Sequence, residues 1–166
     1  MNIVLTGFMA TGKTEIGMAL AKKLNMNYID TDCIIEEKEK MSVREIFSSK
    51  GEKYFRDLEC SVAVSSAGLD NCVISTGGGM VLRKENMDNL RKNAKIVNLY
   101  ADVDKILERV TGKSDRPLLN VANKREEIVK LFESRKSCYE NCDISVDTTN
   151  TVPCEAADKI IKLLGL

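Results

Sequence analysis

Near the start of the chain, Gly7-Phe8-Met9-Ala10-Thr11-Gly12-Lys13-Thr14 spells G-x-x-x-x-G-K-T with no position missing. The apolar run Ile3-Val4-Leu5 precedes it and reads as a buried strand. From Glu15 to Leu24 the apolar residues recur at helical spacing. Strand, glycine loop and helix in that order are the setting of a phosphate-binding loop. Gly7 and Gly12 let the backbone approach a phosphate closely. Successive N–H groups then converge at a helix N-terminus, where partial positive charge favours an anion. Lys13 has the reach for the β- and γ-phosphates, and the Thr14 hydroxyl suits Mg²⁺. A glycine turn capping a helix is the plainer alternative, but it requires neither the lysine nor the hydroxyl. The loop therefore predicts a nucleoside triphosphate site in an α/β fold.

Charge and length agree with that reading. At 166 residues the chain suits one domain with a sizeable core. Lys+Arg and Asp+Glu both number 25, so no basic footprint for nucleic acid or an anionic membrane surface is present. The first strand begins almost at Met1, so no signal peptide is expected. No apolar run approaches membrane-spanning length. The six cysteines are expected to be reduced thiols, as an intracellular phosphate-handling protein would keep them. With no histidine and no C-x-x-C pair, a zinc site and Ser-His or Cys-His nucleophiles are disfavoured. A carboxylate, lysine, tyrosine or thiol must accept any proton.

Beyond the loop, strands and helices alternate. Asn27-Tyr28-Ile29 reads as a second strand ending in Asp30-Thr31-Asp32. Ligands of open α/β sheets sit outside the carboxyl ends of strands, which places these carboxylates beside the nucleotide. Either could instead cap a helix starting near Cys33. Ser42-Val43-Arg44-Glu45 is a capping-box pattern opening another helix, interrupted at Gly51 and running on to Ala67. Arg56 lies within it, and Asp57 or Glu59 would give it an ordinary ion pair. Cys72-Val73-Ile74-Ser75 is a third strand, and Gly77-Gly78-Gly79 at its end implies backbone passing close to a ligand or another segment. Ile96 to Tyr100 is a fourth strand, Asp102 to Val110 a helix, and Thr111 to Leu119 a polar connection or a lid. A long helix from about Asn123 to Ser137 follows, with Arg135 and Tyr139 sharing a face near its end. Asp143 to Val146 is a fifth strand, and Pro153 starts the last helix. The alternation predicts a parallel sheet wrapped by helices.

Taken in order, Gly7 to Thr14, Asp30-Thr31-Asp32, Phe55-Arg56, Gly77-Gly78-Gly79, Asp115-Arg116-Pro117-Leu118-Leu119, Arg135 with Tyr139, and Val146-Asp147-Thr148 ahead of Pro153 resemble the shikimate kinase family over nearly the full chain. The resemblance implies a P-loop three-layer α/β/α sandwich with a five-stranded parallel sheet of order 2-3-1-4-5. It implies a single kinase domain spanning 1–166, with a substrate-binding region at about 32–60 and a lid at about 110–121. The implied reaction passes the γ-phosphoryl group of ATP to the 3-hydroxyl of shikimate, a cytoplasmic step toward aromatic amino acids. The implied enzyme is a monomer that uses Mg²⁺.

By position, the resemblance assigns Ala10, Thr11, Gly12, Lys13, Thr14, Glu15, Arg109, Arg116 and Pro153 to the nucleotide. Arg109 and Pro153 would sandwich the adenine. Asp32, Arg56, Gly77, Gly78, Gly79 and Arg135 would hold shikimate, and Thr14 and Asp30 the metal ion. Lys13, Asp32 and Arg116 would be the catalytic set, with Asp32 orienting or deprotonating the hydroxyl. Arginine forks match a carboxylate, and an aspartate accepts from hydroxyls. Glu15 stands where the family often has Ser or Thr, Ser137 where it often has Pro, and Thr151 where a basic residue is frequent. A kinase for another polyhydroxy acid such as gluconate is the nearest rival. A nucleoside monophosphate kinase, a nucleotide-binding regulator without turnover and a hydrolase switch stand further off.

Overall fold

The computed structural model describes residues 1–110 and 123–166. Arg116 and the expected lid beyond Val110 lie outside the described residues. Along the chain the elements are β1 (Asn2–Gly7), α1 (Lys13–Leu24), β2 (Asn27–Asp30), α2 (Thr31–Glu39), α3 (Val43–Ser66), β3 (Cys72–Ser75), a 3₁₀ turn (Met80–Leu82), α4 (Lys84–Arg91), β4 (Ala94–Tyr100), α5 (Val103–Val110), α6 (Lys124–Glu140), β5 (Ile144–Asp147) and α7 (Pro153–Leu164). The five strands form one parallel sheet in the order β2-β3-β1-β4-β5. This is the expected order. It leaves a crevice at the carboxyl end of β1, flanked by β3 and β4.

Strand periodicity divides the core. Ile3 and Leu5 point to one face with Val73, Val97 and Leu99, where they meet Ile16 and Leu20 of α1 and Ile160 of α7. Val4, Ile74 and Ile96 point to the other, against Met87 and Leu90 of α4, Ile106 of α5 and Ile128 of α6. A separate cluster of Ile35, Ile46, Phe55 and Val62 holds α2 against α3. The central strand β1 is buried along its whole length, so the loop that follows it departs from a fixed base.

Several boundaries differ from the sequence reading. Helix α2 starts at Thr31 because Asp30, not Asp32, is its N-cap: the Asp30 carboxylate accepts from the Asp32 N–H at 2.9 Å and the Cys33 N–H at 3.5 Å. Helix α6 continues to Glu140 and so includes Tyr139. Residues 43–66 form one helical run kinked at Gly51, whose φ of 82° is open to glycine. The capping box at Ser42 and Glu45 forms as expected. All six cysteines are free thiols. Among the described residues no helix is long and apolar enough to cross a membrane.

Gly7 closes β1 with a φ of 143°, and a β-carbon there would run into the Leu99 carbonyl oxygen of β4. Backbone cannot yield as a flexible side chain can. Gly7→Ala is expected to lower unfolding stability by about 2–4 kcal/mol, read from urea denaturation.

Candidate active site

At the crevice the phosphate-binding loop turns its carbonyls outward, and side chains from distant elements receive them. The Lys13 ammonium donates to the Gly7 and Phe8 carbonyls, each at 2.9 Å. The Thr11 hydroxyl donates to the Phe8 carbonyl at 2.9 Å. Arg109 of α5 donates to the Ala10 carbonyl at 2.9 Å and to the Thr148 carbonyl at 2.7 Å. The buried Thr148 hydroxyl donates to the Thr11 carbonyl at 2.9 Å. Ala10 holds a φ of 58°, unusual for a residue with a side chain. Gly12, with a φ of 87°, opens α1, so the first N–H groups of that helix face the crevice. Thr148, on the loop after β5, escaped the sequence reading as a support. Its signal was its place in Val146-Asp147-Thr148 ahead of Pro153, which carried no structural role by itself.

A cavity of about 390 Å³ lies against this loop. Ala10, Gly12, Lys13, Thr14, Glu15, Asp30, Asp32, Gly77, Gly78 and Arg109 line it. Ten of the expected positions thus converge on one space. Thr11 is buried beneath the loop, and Pro153 is exposed at the first position of α7. Arg56, Gly79 and Arg135 lie outside the lining of this cavity and gather beside it.

That neighbouring group is a buried charge cluster. Arg56 is only 8 % exposed, and it donates to Glu59 at 2.7 Å and to Glu52 at 2.9 Å. Its expected surface ion pair is therefore a buried one, and Asp57 pairs with Arg83 instead. A β-carbon on Gly79 would overlap the Arg56 guanidinium, which explains a glycine there. A β-carbon on Gly77 would overlap the Asp32 carboxylate and stand 3.2 Å from a Glu59 carboxylate oxygen. Thr31 receives the Gly77 N–H at 3.1 Å. Arg135 is 6 % exposed and forms no ion pair with a carboxylate among the described residues. Its charge reaches Glu59 and Tyr139. Tyr139 donates its hydroxyl to the Gly78 carbonyl at 2.6 Å.

Desolvation governs the protonation of this cluster. Burial, with Asp30 and Glu59 nearby, pushes Asp32 up to about 7 against a partial pull from Lys13. Burial raises Glu59 too, opposed by Arg56 and Arg135. Asp32 and Glu59 each keep one buried oxygen without a hydrogen-bond partner among the described residues. Glu59 is fully buried, and it is the group the sequence reading undervalued. Its i+3 spacing from Arg56 was visible, but its burial was not.

For Mg²⁺ the donor set fits. Among the described residues no three acidic or thiol groups form a cage. Mg²⁺ instead keeps waters and uses one or two protein ligands plus phosphates. The Thr14 hydroxyl and the Asp30 carboxylate both face the cavity. Asp30 already caps α2 with Oδ1 and accepts from the Tyr28 hydroxyl at 3.3 Å with Oδ2, an arrangement suited to contact through water.

A phosphate-binding loop opening onto a near-neutral carboxylate, with buried arginines and a glycine run alongside, defines a P-loop kinase that acts on a small anionic acceptor. Comparison with known proteins narrows the class. The family model described as shikimate kinase matches residues 9–165. The shikimate kinase of Caldicellulosiruptor saccharolyticus is 46% identical, over 98% of this chain and 94% of its own length. That of Thermodesulfovibrio yellowstonii is 45% identical, over 97% and 93%. The structure of shikimate kinase from Acinetobacter baumannii in complex with shikimate matches with a TM-score of 0.95 at 32% identity, over 98% of this chain and 92% of that one. The chain belongs to the shikimate kinase family.

The raised pKa of Asp32 has a consequence for stability. The folded protein holds a proton that the unfolded chain releases above its ordinary value of 3.8. The folded state therefore loses stability as pH rises from about 4 to about 7. Asp32→Asn is expected to raise the melting temperature of the nucleotide- and metal-free protein by roughly 3–6 °C at pH 8 and to change it little at pH 4. A melting curve at each pH checks both arms.

Proposed function

We propose that this chain transfers the γ-phosphoryl group of ATP to the 3-hydroxyl of shikimate, giving ADP and shikimate 3-phosphate. The observation that carries the acceptor is Arg135, a buried guanidinium without an ion-paired carboxylate among the described residues, whose charge is felt at Glu59 and at Tyr139, the residue that holds the Gly78 carbonyl. A buried cation is costly unless an anion meets it, and the shikimate carboxylate is that anion. Family membership supplies the rest of the substrate's identity.

In this reading the N–H groups of Gly12, Lys13, Thr14 and Glu15 hold the phosphates, and Lys13 leaves the Gly7 and Phe8 carbonyls to reach them. Thr11 and Ala10 shape the loop. Arg109, with its plane fixed by Ala10 and Thr148, stacks against the adenine opposite Pro153. Arg56, Arg135 and Gly79 hold the carboxylate of shikimate, while Asp32, Gly77 and Gly78 face its hydroxyls. Asp32, with a pKa near 7, takes the proton of the attacking 3-hydroxyl. Thr14 and Asp30 hold Mg²⁺, which neutralises charge on the phosphate oxygens when bound. Arg116, within Asp115-Arg116-Pro117-Leu118-Leu119, joins the phosphates by its place in the family motif. The chain acts as a single kinase domain with the acceptor region near 32–60 and the lid near 110–121. It is a monomer in the cytoplasm, without nucleic-acid or membrane partners.

Coupled ADP release with ATP and Mg²⁺ tests the reaction. Release that depends on shikimate, and is absent with gluconate or nucleoside monophosphates, is the expected result. Acceptor-independent release would mark an ATPase and overturn it. Arg135→Ala is expected to raise the KM for shikimate on the order of a hundredfold while the KM for ATP stays within about threefold. Equal rises in both would make Arg135 a structural residue.

A further inference from the structure

We infer that Tyr139 is a positioning residue, which sets the Gly78–Gly79 peptide through its hydroxyl and so fixes the acceptor loop against the phosphate-binding loop. The inference rests on the proposed reaction, since it concerns how the acceptor is held.

The geometry is specific. Tyr139 lies one helical turn after Arg135 on α6, so both project from the same face. Its hydroxyl donates to the Gly78 carbonyl at 2.6 Å, at the short end for a neutral hydroxyl. Tyr139 is buried, and burial pushes it up to about 12 although the Arg135 and Arg56 charges oppose this. The phenol therefore keeps its proton and remains a donor.

The Gly78 carbonyl and the Gly79 N–H belong to one planar trans peptide and point in opposite directions. Holding the carbonyl toward Tyr139 thus aims the Gly79 N–H away from it. Gly79 is also where the chain abuts the Arg56 guanidinium. Glycine has no side chain to bias this peptide, and a run of three leaves its orientation open. A hydrogen bond from outside the loop removes that freedom.

The same residue touches the donor side. A β-carbon built on Gly78 would stand 3.7 Å from the Gly7 carbonyl oxygen, 3.8 Å from the Met9 nitrogen and 3.8 Å from the Tyr139 hydroxyl. Gly78 is thus packed between the phosphate-binding loop and Tyr139. The Tyr139 ring meets the Phe8 ring edge-on, with centroids 6.5 Å apart and planes at 88°. Phe8 in turn meets Phe132 of the same helix at 5.6 Å and 88°. Helix α6 therefore grips the phosphate-binding loop by its aromatic ring and the acceptor loop by its carbonyl.

Tyr139→Phe removes only the hydroxyl and keeps the ring against Phe8. The expected result is a fall in kcat/KM for shikimate of roughly tenfold, with the KM for ATP within twofold of the parent. A purely structural tyrosine would move both substrates together or neither, and either pattern overturns the inference. The parent enzyme in the same assay separates the two claims: no shikimate-dependent turnover there sinks the proposed reaction, not the role of Tyr139. A second measurement needs no turnover. In ¹⁵N–¹H spectra of Tyr139→Phe, the Gly79 amide resonance is expected to shift and broaden while that of Gly12 stays in place. An unmoved Gly79 resonance overturns the inference.

Discussion

A loop that turns its N–H groups into one concavity must send its carbonyls the other way, and those carbonyls need donors. Most of the site follows from meeting that requirement. Lys13 serves Gly7 and Phe8, Thr11 serves Phe8, Arg109 serves Ala10, and Thr148 serves Thr11. These donors come from the loop itself, from α5 and from the turn after β5. The anion cradle at β1 is thereby tied to strand ends across the sheet. The left-handed conformation of Ala10 and the close passage of Gly7 beside Leu99 persist because several partners hold the loop at once.

The acceptor end obeys a different constraint, the cost of burying charge. Arg56 and Glu59 are both withdrawn from water and compensate each other at 2.7 Å, with Glu52 at the margin. Arg135 adds a second cation, and Asp32 adds a carboxyl that desolvation keeps near neutrality. Two buried acid oxygens remain without hydrogen-bond partners among the described residues. Unpaired buried oxygens of this kind cost the folded protein stability.

Gly78 joins the two ends, since it packs on the phosphate-binding loop and receives the Tyr139 hydroxyl. The strand order brings this about: β3 lies directly beside β1, so the glycine run after β3 falls next to the loop after β1. In-line transfer needs donor and acceptor set to within fractions of an ångström. A helix that grips both loops is a direct way to set that distance.

The phosphate half was legible in the sequence because its geometry is local. Gly7 to Thr14 between an apolar strand and an amphipathic helix fixes both the backbone path and the chemistry, and the ordered motifs identify the family. Asp30 showed where local reading falls short: Asp30 and Asp32 are equally good capping residues until the helix start is located. The burial of Glu59 and the roles of Thr148 and Tyr139 were beyond it. Asp32 and Glu59 stand on α2 and α3, Gly78 follows β3, and Arg135 and Tyr139 stand on α6. The sequence alone determined the phosphate cradle, the alternation of strands and helices, and the residue types available to an acceptor. Only the tertiary structure decided which of those residues are buried, which carbonyl each donor meets and which carboxyl titrates far above its ordinary range, because desolvation and hydrogen-bond partnership come from segments far apart in the chain.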